Sequence, residues 1–70
     1  MFKEGTRVKI INAEMAREYA AAVENGEIGK TTSNHIGDFS VGVIRDNNAR
    51  DRDFGGYLIP CDALEEIRKL

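Results

Sequence analysis

The sequence predicts a mainly β fold: a small barrel of five strands, with one α-helix between the first and second strands and a one-turn helix before the last. Three stretches carry this expectation. Thr6-Arg7-Val8-Lys9-Ile10-Ile11 alternates polar and apolar residues, the period of a strand buried on one face. Phe39-Ser40-Val41-Gly42-Val43-Ile44-Arg45 repeats it, with Phe39, Val41 and Val43 on one side. Gly56-Tyr57-Leu58-Ile59-Pro60-Cys61-Asp62-Ala63-Leu64-Glu65-Glu66-Ile67 reads as a strand, a turn opened by proline and a short closing strand. The 70 residues are expected to form one domain, 1–70, with a core small enough to leave stability marginal.

Along the chain, Phe2 precedes the first strand and is expected to fold back as a hydrophobic plug, and Gly5 supplies a flexible entry. Asn12 is the expected N-cap of a helix running from Ala13 to Val23, about three turns long, with Glu14 near its positive end. Met15, Tyr19, Ala22 and Val23 fall at i, i+4, i+7 and i+8, one apolar stripe. Asn25-Gly26 is the expected helix stop. The second strand is placed at Glu27 to Thr32, with Gly29 a bulge or a point of close approach, and Ser33 to Asp38 a turn. Asp46 to Asp53 is polar and reads as a solvated loop with a turn at Asn47-Asn48. Phe54, Tyr57 and Ile59 resume the alternation as a fourth strand.

Twelve acidic against ten basic side chains give a net charge of −2. That balance disfavours a dedicated nucleic-acid binder, which carries a basic excess. Cys61, the single cysteine, makes no internal disulfide, and a lone thiol without a signal peptide suits a cytoplasmic location. No apolar run approaches membrane-spanning length, so no membrane partner is expected.

The closing Pro60-Cys61-Asp62-Ala63-Leu64-Glu65-Glu66-Ile67 resembles the last turn and strand of the Src-homology-3-like small barrels. The front half, Gly5 to Ile11 with Gly26-Glu27-Ile28-Gly29-Lys30, resembles the related KOW domains of ribosomal and transcription proteins. It also resembles the small barrel subunit on the stromal face of photosystem I. The first resemblance implies a groove for proline-rich peptides, but the residues of that groove are missing: the chain has no tryptophan, and Ala63 stands where the family has a tyrosine. A polyproline helix has little here to stack against.

Candidate site residues follow from what remains. His35, placed in a turn near Asp38, has no nucleophile or set of co-ligands nearby in sequence and reads as an exposed loop residue. Cys61, at the start of the proline turn, reads as a small half-buried side chain rather than a reactive thiolate. No catalytic residue, cofactor or metal is therefore expected, and the chain is not read as an enzyme. Arg45, Arg50 and Arg52 gather about the third loop, interleaved with Asp46, Asp51 and Asp53 that offset them. The Met15/Tyr19/Val23 stripe either packs across one end of the barrel or docks a partner, with Ala16, Ala20, Ala21 and Ala22 permitting close approach.

The expected function is a non-catalytic binding or adaptor module acting through protein–protein contact, in an accessory or phage-encoded role, with Met15, Tyr19, Val23, Arg45, Arg50 and Arg52 as contact residues. One alternative is KOW-like binding of nucleic acid by the Arg45–Arg52 loop with Arg7, Lys9 and Lys30. The other is a homo-oligomer that captures a small anionic ligand with its arginines.

Overall fold

The computed structural model describes residues 2–68. Five strands form one antiparallel sheet: β1 (Arg7–Ile10), β2 (Ile28–Ile36), β3 (Ser40–Arg45), β4 (Tyr57–Pro60) and β5 (Leu64–Glu66), in the order β4-β3-β2-β1-β5. A short helix α1 (Ala13–Glu18) joins β1 to β2. A 3-10 helix η1 (Ala49–Phe54) joins β3 to β4, and a second, η2 (Cys61–Ala63), leads from β4 into β5. The strand content and the proline-opened turn are as the sequence implies. The expected closed barrel is not: β4 and β5 are the two ends of the sheet and are not paired with each other. The physical reason lies in the closing segment, where Pro60 at the end of β4 carries no backbone N–H and η2 intervenes before the three residues of β5.

Val8 and Ile10 of β1, Val41 and Val43 of β3, Ile59 of β4 and Leu64 of β5 meet on one face of the sheet. Ala13, Ala16, Ala21, Val23 and Ala63 cover them, and Phe2, Met15, Tyr57 and Cys61 pack at the margin. Phe2 is thus the partial plug the sequence suggests. Ala63, in the position of the absent tyrosine, is fully buried and presents nothing to a ligand.

The helix ends well before the expected residue 23. Asn12 is its N-cap, its Oδ1 accepting the Met15 N–H at 3.1 Å. At the other end Ala20 adopts φ +69°, the Ala20 N–H donates to the Arg17 carbonyl at 3.0 Å, and the Ala21 N–H reaches back to the Ala16 carbonyl at 3.2 Å. This is a Schellman stop built on alanine rather than glycine. It turns the chain so that Ala21 and Val23 enter the core from a non-helical segment, and the apolar stripe at helical spacing never forms. Asn25, the expected stop, braces the other end: its Oδ1 accepts the Ala13 N–H at 2.6 Å.

Strand β2 runs on to Ile36 through the expected turn, so the turn lies at residues 37–39 and Phe39 falls outside the strand. Between the pairs Thr31↔Val43 and His35↔Val41, three residues of β2 (32, 33 and 34) face one of β3, Gly42. That bulge is possible because Gly42 has no side chain; a Cβ there would collide with the Thr32 hydroxyl. Gly29 serves the same end by close approach, since a Cβ would strike the backbone of Ile44.

No helix among the described residues is long and apolar enough to cross a membrane.

Candidate functional site

Two surfaces stand out, one basic and one aromatic, and an arginine that lines the basic one, Arg45, is committed to the chain's own carboxylates. The sequence places Arg45 at the end of the third strand, beside a solvated polar loop and among its possible contact residues. In the structure its guanidinium is an internal brace. Nε and Nη2 donate to Asp51 Oδ2 and Oδ1 at 2.8 and 2.9 Å, and Nη1 donates to Glu27 Oε2 at 3.1 Å and to the Ala22 carbonyl at 3.2 Å. The guanidinium also lies 5.2 Å from the centre of the Tyr57 ring, within cation–π range. Asp51 is 1% exposed and further accepts the Arg45 backbone N–H at 2.9 Å. Hydrogen bonding from Arg45 holds the Asp51 carboxyl below its ordinary pKa against the opposing effect of burial, and the same bond raises that of Arg45. The polar run 46–53 is exposed at most positions, as expected, but it is not irregular: Asn48 caps η1 by accepting the Arg50 N–H at 3.2 Å, and the buried Asp51 anchors it.

Arg45 lines the basic surface as well, but its guanidinium is taken up by Asp51 and Glu27, and the other cations there are Arg7, Lys30 and Arg52. Arg7 stands opposite Lys30 in the β1–β2 ladder and Lys30 opposite Ile44 in the β2–β3 ladder, so one row crosses three strands. That row floors an open groove of about 530 Å³, walled by Asn48, Ala49 and Arg52 at η1 and by Glu4 and Gly5 before β1. Arg7 pairs with Asp46 at 2.8 Å. Among the described residues Lys30 and Arg52 make no ion pair. Arg50 is exposed and lies outside the groove lining, as does Lys9, which pairs across the sheet with Glu65.

The aromatic surface joins α1 to the β2–β3 turn. The rings of Tyr19 and Phe39 meet edge to face with centroids 5.2 Å apart, yet they are 54% and 50% exposed. Ile36, also exposed, is the first residue before that turn, and its carbonyl accepts the Phe39 N–H at 3.0 Å. The Phe39 carbonyl in turn accepts the Cys61 N–H at 2.8 Å, which fixes η2 beside the pair. Asp38 and Asp62 both lie near enough to influence the Cys61 thiol, whose pKa is raised chiefly by burial. Cys61 is half-buried, and a raised pKa is the opposite of what a nucleophilic thiol requires.

Of the stripe residues, Tyr19 and the small Ala22 are exposed, whereas Met15 is half-buried against the core and Val23 is 1% exposed. Ala16 and Ala21, expected to allow close approach of another helix, are likewise buried within the chain. His35 lies in β2 rather than in a turn, exposed, with Nδ1 3.1 Å from the Gly37 carbonyl oxygen. Among the described residues no three His, Cys, Asp or Glu side chains gather into a group able to hold a metal ion.

The sequence reading passed over Thr31 and Phe39. Thr31, nearly buried, accepts the Thr6 N–H at 3.0 Å and donates to the Lys3 carbonyl at 2.6 Å, tying the chain before β1 to β2. Phe39 seemed to continue the core face of β3. The Gly37-Asp38 pair immediately before it was the available signal that it belongs to a turn.

Comparison with protein-family models, with curated proteins and with solved structures finds no match. The functional reading therefore rests on the two surfaces themselves.

Proposed function

We propose that the chain is a non-catalytic binding module that docks a protein partner on the Tyr19–Phe39 surface. One observation carries the reading: two aromatic rings, twenty positions apart in sequence, are held against each other outside the core with half of each in solvent. Exposed aromatics fixed by the backbone offer large contact area at small entropic cost, the property of interface anchors. The surroundings indicate the partner's chemistry. Asp38 and Asp62 both lie close to Cys61, whose N–H is bonded to the Phe39 carbonyl, so the aromatic pair has carboxylates at its Phe39 side. A partner segment bearing arginine or lysine beside an apolar side chain meets both the ring faces and the carboxylates.

The finer architectural reading, an opened relative of the Src-homology-3-like barrels, belongs to the same proposal. It is supported by the strand order and by Pro60 leading through η2 into β5. Ala63 in the core supports a binding mode other than proline-rich peptide recognition. A cytoplasmic, accessory role is part of this reading, supported by the single free thiol of Cys61.

Selection of a random peptide library against the chain tests the proposal. Enriched ligands are expected to carry basic and apolar residues and to bind about tenfold more weakly to a Tyr19→Ser/Phe39→Ser variant, in line with the loss of a central aromatic anchor. Acidic or featureless ligands, or binding indifferent to the double substitution, refute it.

A further inference from the structure

We propose that the groove over β1, β2 and β3 is a second, independent site, for a small phosphorylated ligand. Its volume of about 530 Å³ lies within the roughly 300–1,000 Å³ of small-molecule sites. Its lining suits a phosphate group on a partly apolar body. Lys30 rises from the floor and Arg52 from the η1 wall, both without ion-pair partners among the described residues. Ile44 and Ala49 supply apolar surface, and Thr32 and Asn48 supply a hydroxyl and an amide. The Thr32 oxygen already accepts the Asn34 N–H at 3.2 Å, and the Asn48 oxygen accepts that of Arg50. The hydroxyl proton and the amide protons remain as donors. An ammonium and a guanidinium on separate elements, supplemented by neutral donors, are what a compact dianion needs.

The same lining argues against a nucleic-acid strand. No aromatic side chain lines the groove for a base to stack on. Glu4 and Asp46 are part of its lining, and their carboxylates would repel a continuous phosphate backbone laid along it. Asp46 also makes the site adjustable, because it holds Arg7 at 2.8 Å in a half-exposed pair. Removing that carboxylate frees a third cation for the ligand.

Titration of the isotope-labelled chain with inorganic pyrophosphate, followed by amide chemical shifts, tests this site separately from the aromatic surface. The shifts are expected to gather at Lys30, Thr32, Ile44 and Arg52. Lys30→Ala/Arg52→Ala, two exposed substitutions that leave the core intact, is expected to weaken binding about tenfold, and Asp46→Asn to tighten it about threefold. Shifts scattered over all surface cations, affinity unchanged in the double variant, or no gain from Asp46→Asn overturn the proposal. So does a short single-stranded oligonucleotide that displaces pyrophosphate from the same residues at lower concentration. Tyr19→Ser/Phe39→Ser is expected to leave pyrophosphate binding unchanged.

Discussion

Arg45 and Asp51 meet fork to fork, at 2.8 and 2.9 Å, with the carboxylate almost wholly removed from solvent. The pair closes one end of the sheet, since Arg45 also reaches Glu27, the Ala22 carbonyl and the Tyr57 ring. Four segments of the chain thus converge on one guanidinium. In a domain of this size, with a single cysteine and so no internal disulfide, a polar brace of this kind has consequences out of proportion to its area.

Removing either partner strands the other. Asp51→Ala is expected to cost about 3–5 kcal/mol, the range for breaking a buried ion pair from one side. Because small domains often hold only about 5 kcal/mol in total, much of the variant is expected to be unfolded at room temperature. Arg45→Lys keeps the charge but loses the bidentate geometry, and is expected to fall between. Urea denaturation followed by circular dichroism measures both; an Asp51→Ala midpoint equal to that of the wild type would show the brace to be dispensable.

The same pair sets a pH dependence. Asp51 has its folded pKa depressed by the bond from Arg45, so it binds a proton less readily folded than unfolded. Its contribution to stability is present above the unfolded carboxylate value of about 3.9 and is lost as pH falls through the lower folded value. Stability should therefore decline below about pH 4, and Asp51→Asn should flatten that decline. Thermal melts of the two proteins across the acid range check this, and parallel curves would exclude Asp51 as the source.

Ala20 is the one non-glycine residue with positive φ among those described, at +69°. Side chains other than glycine pay about 1 kcal/mol or more in that region. Ala20→Gly is expected to raise stability by about 0.5–1 kcal/mol, the gain partly offset by the greater freedom of glycine in the unfolded chain. For a domain of this length that corresponds to an increase of roughly 3–6 °C in Tm, measurable by calorimetry. A lower Tm would mean that the left-handed turn at Ala20 is not the state populated in solution.

Two glycines are predicted to differ. At Gly29 a methyl group meets the Ile44 backbone and lies 2.9 Å from Val43 Cγ1, whereas at Gly42 its nearest neighbour is the Thr32 side chain. Backbone cannot yield as a side chain can, so Gly29→Ala is expected to destabilise by about 1–3 kcal/mol and Gly42→Ala by less. The order of the two denaturation midpoints decides the matter.

Several features were legible in the residues alone because they depend on neighbours in the chain. Alternation marked β1, Asn12 marked a helix start, Pro60 marked η2, and Gly29 marked a point of close approach. Of the residues expected to meet a partner, Met15, Tyr19, Val23, Arg45, Arg50 and Arg52, local chemistry gave no means of separating the exposed Tyr19, Arg50 and Arg52 from the buried Val23 and the inward Arg45. It did not reveal that the helix would stop at Glu18. Alanines favour helix at every position, and the left-handed turn at Ala20 follows from burying Ala21 and Val23 against the sheet.

The sequence by itself determined a β-rich chain with a proline-opened close. Tertiary structure decided which charges are free. Arg45, Arg50 and Arg52 look alike in a polar run, but burial of Asp51 beside the sheet draws Arg45 inward and leaves Arg52 at the groove. Phe39 looked like core until the bulge opposite Gly42 moved the turn, and the ring met Tyr19 outside instead. In both cases the deciding quantity is desolvation, and which groups lose their water is settled by partners distant in the chain rather than by the side chain's own chemistry.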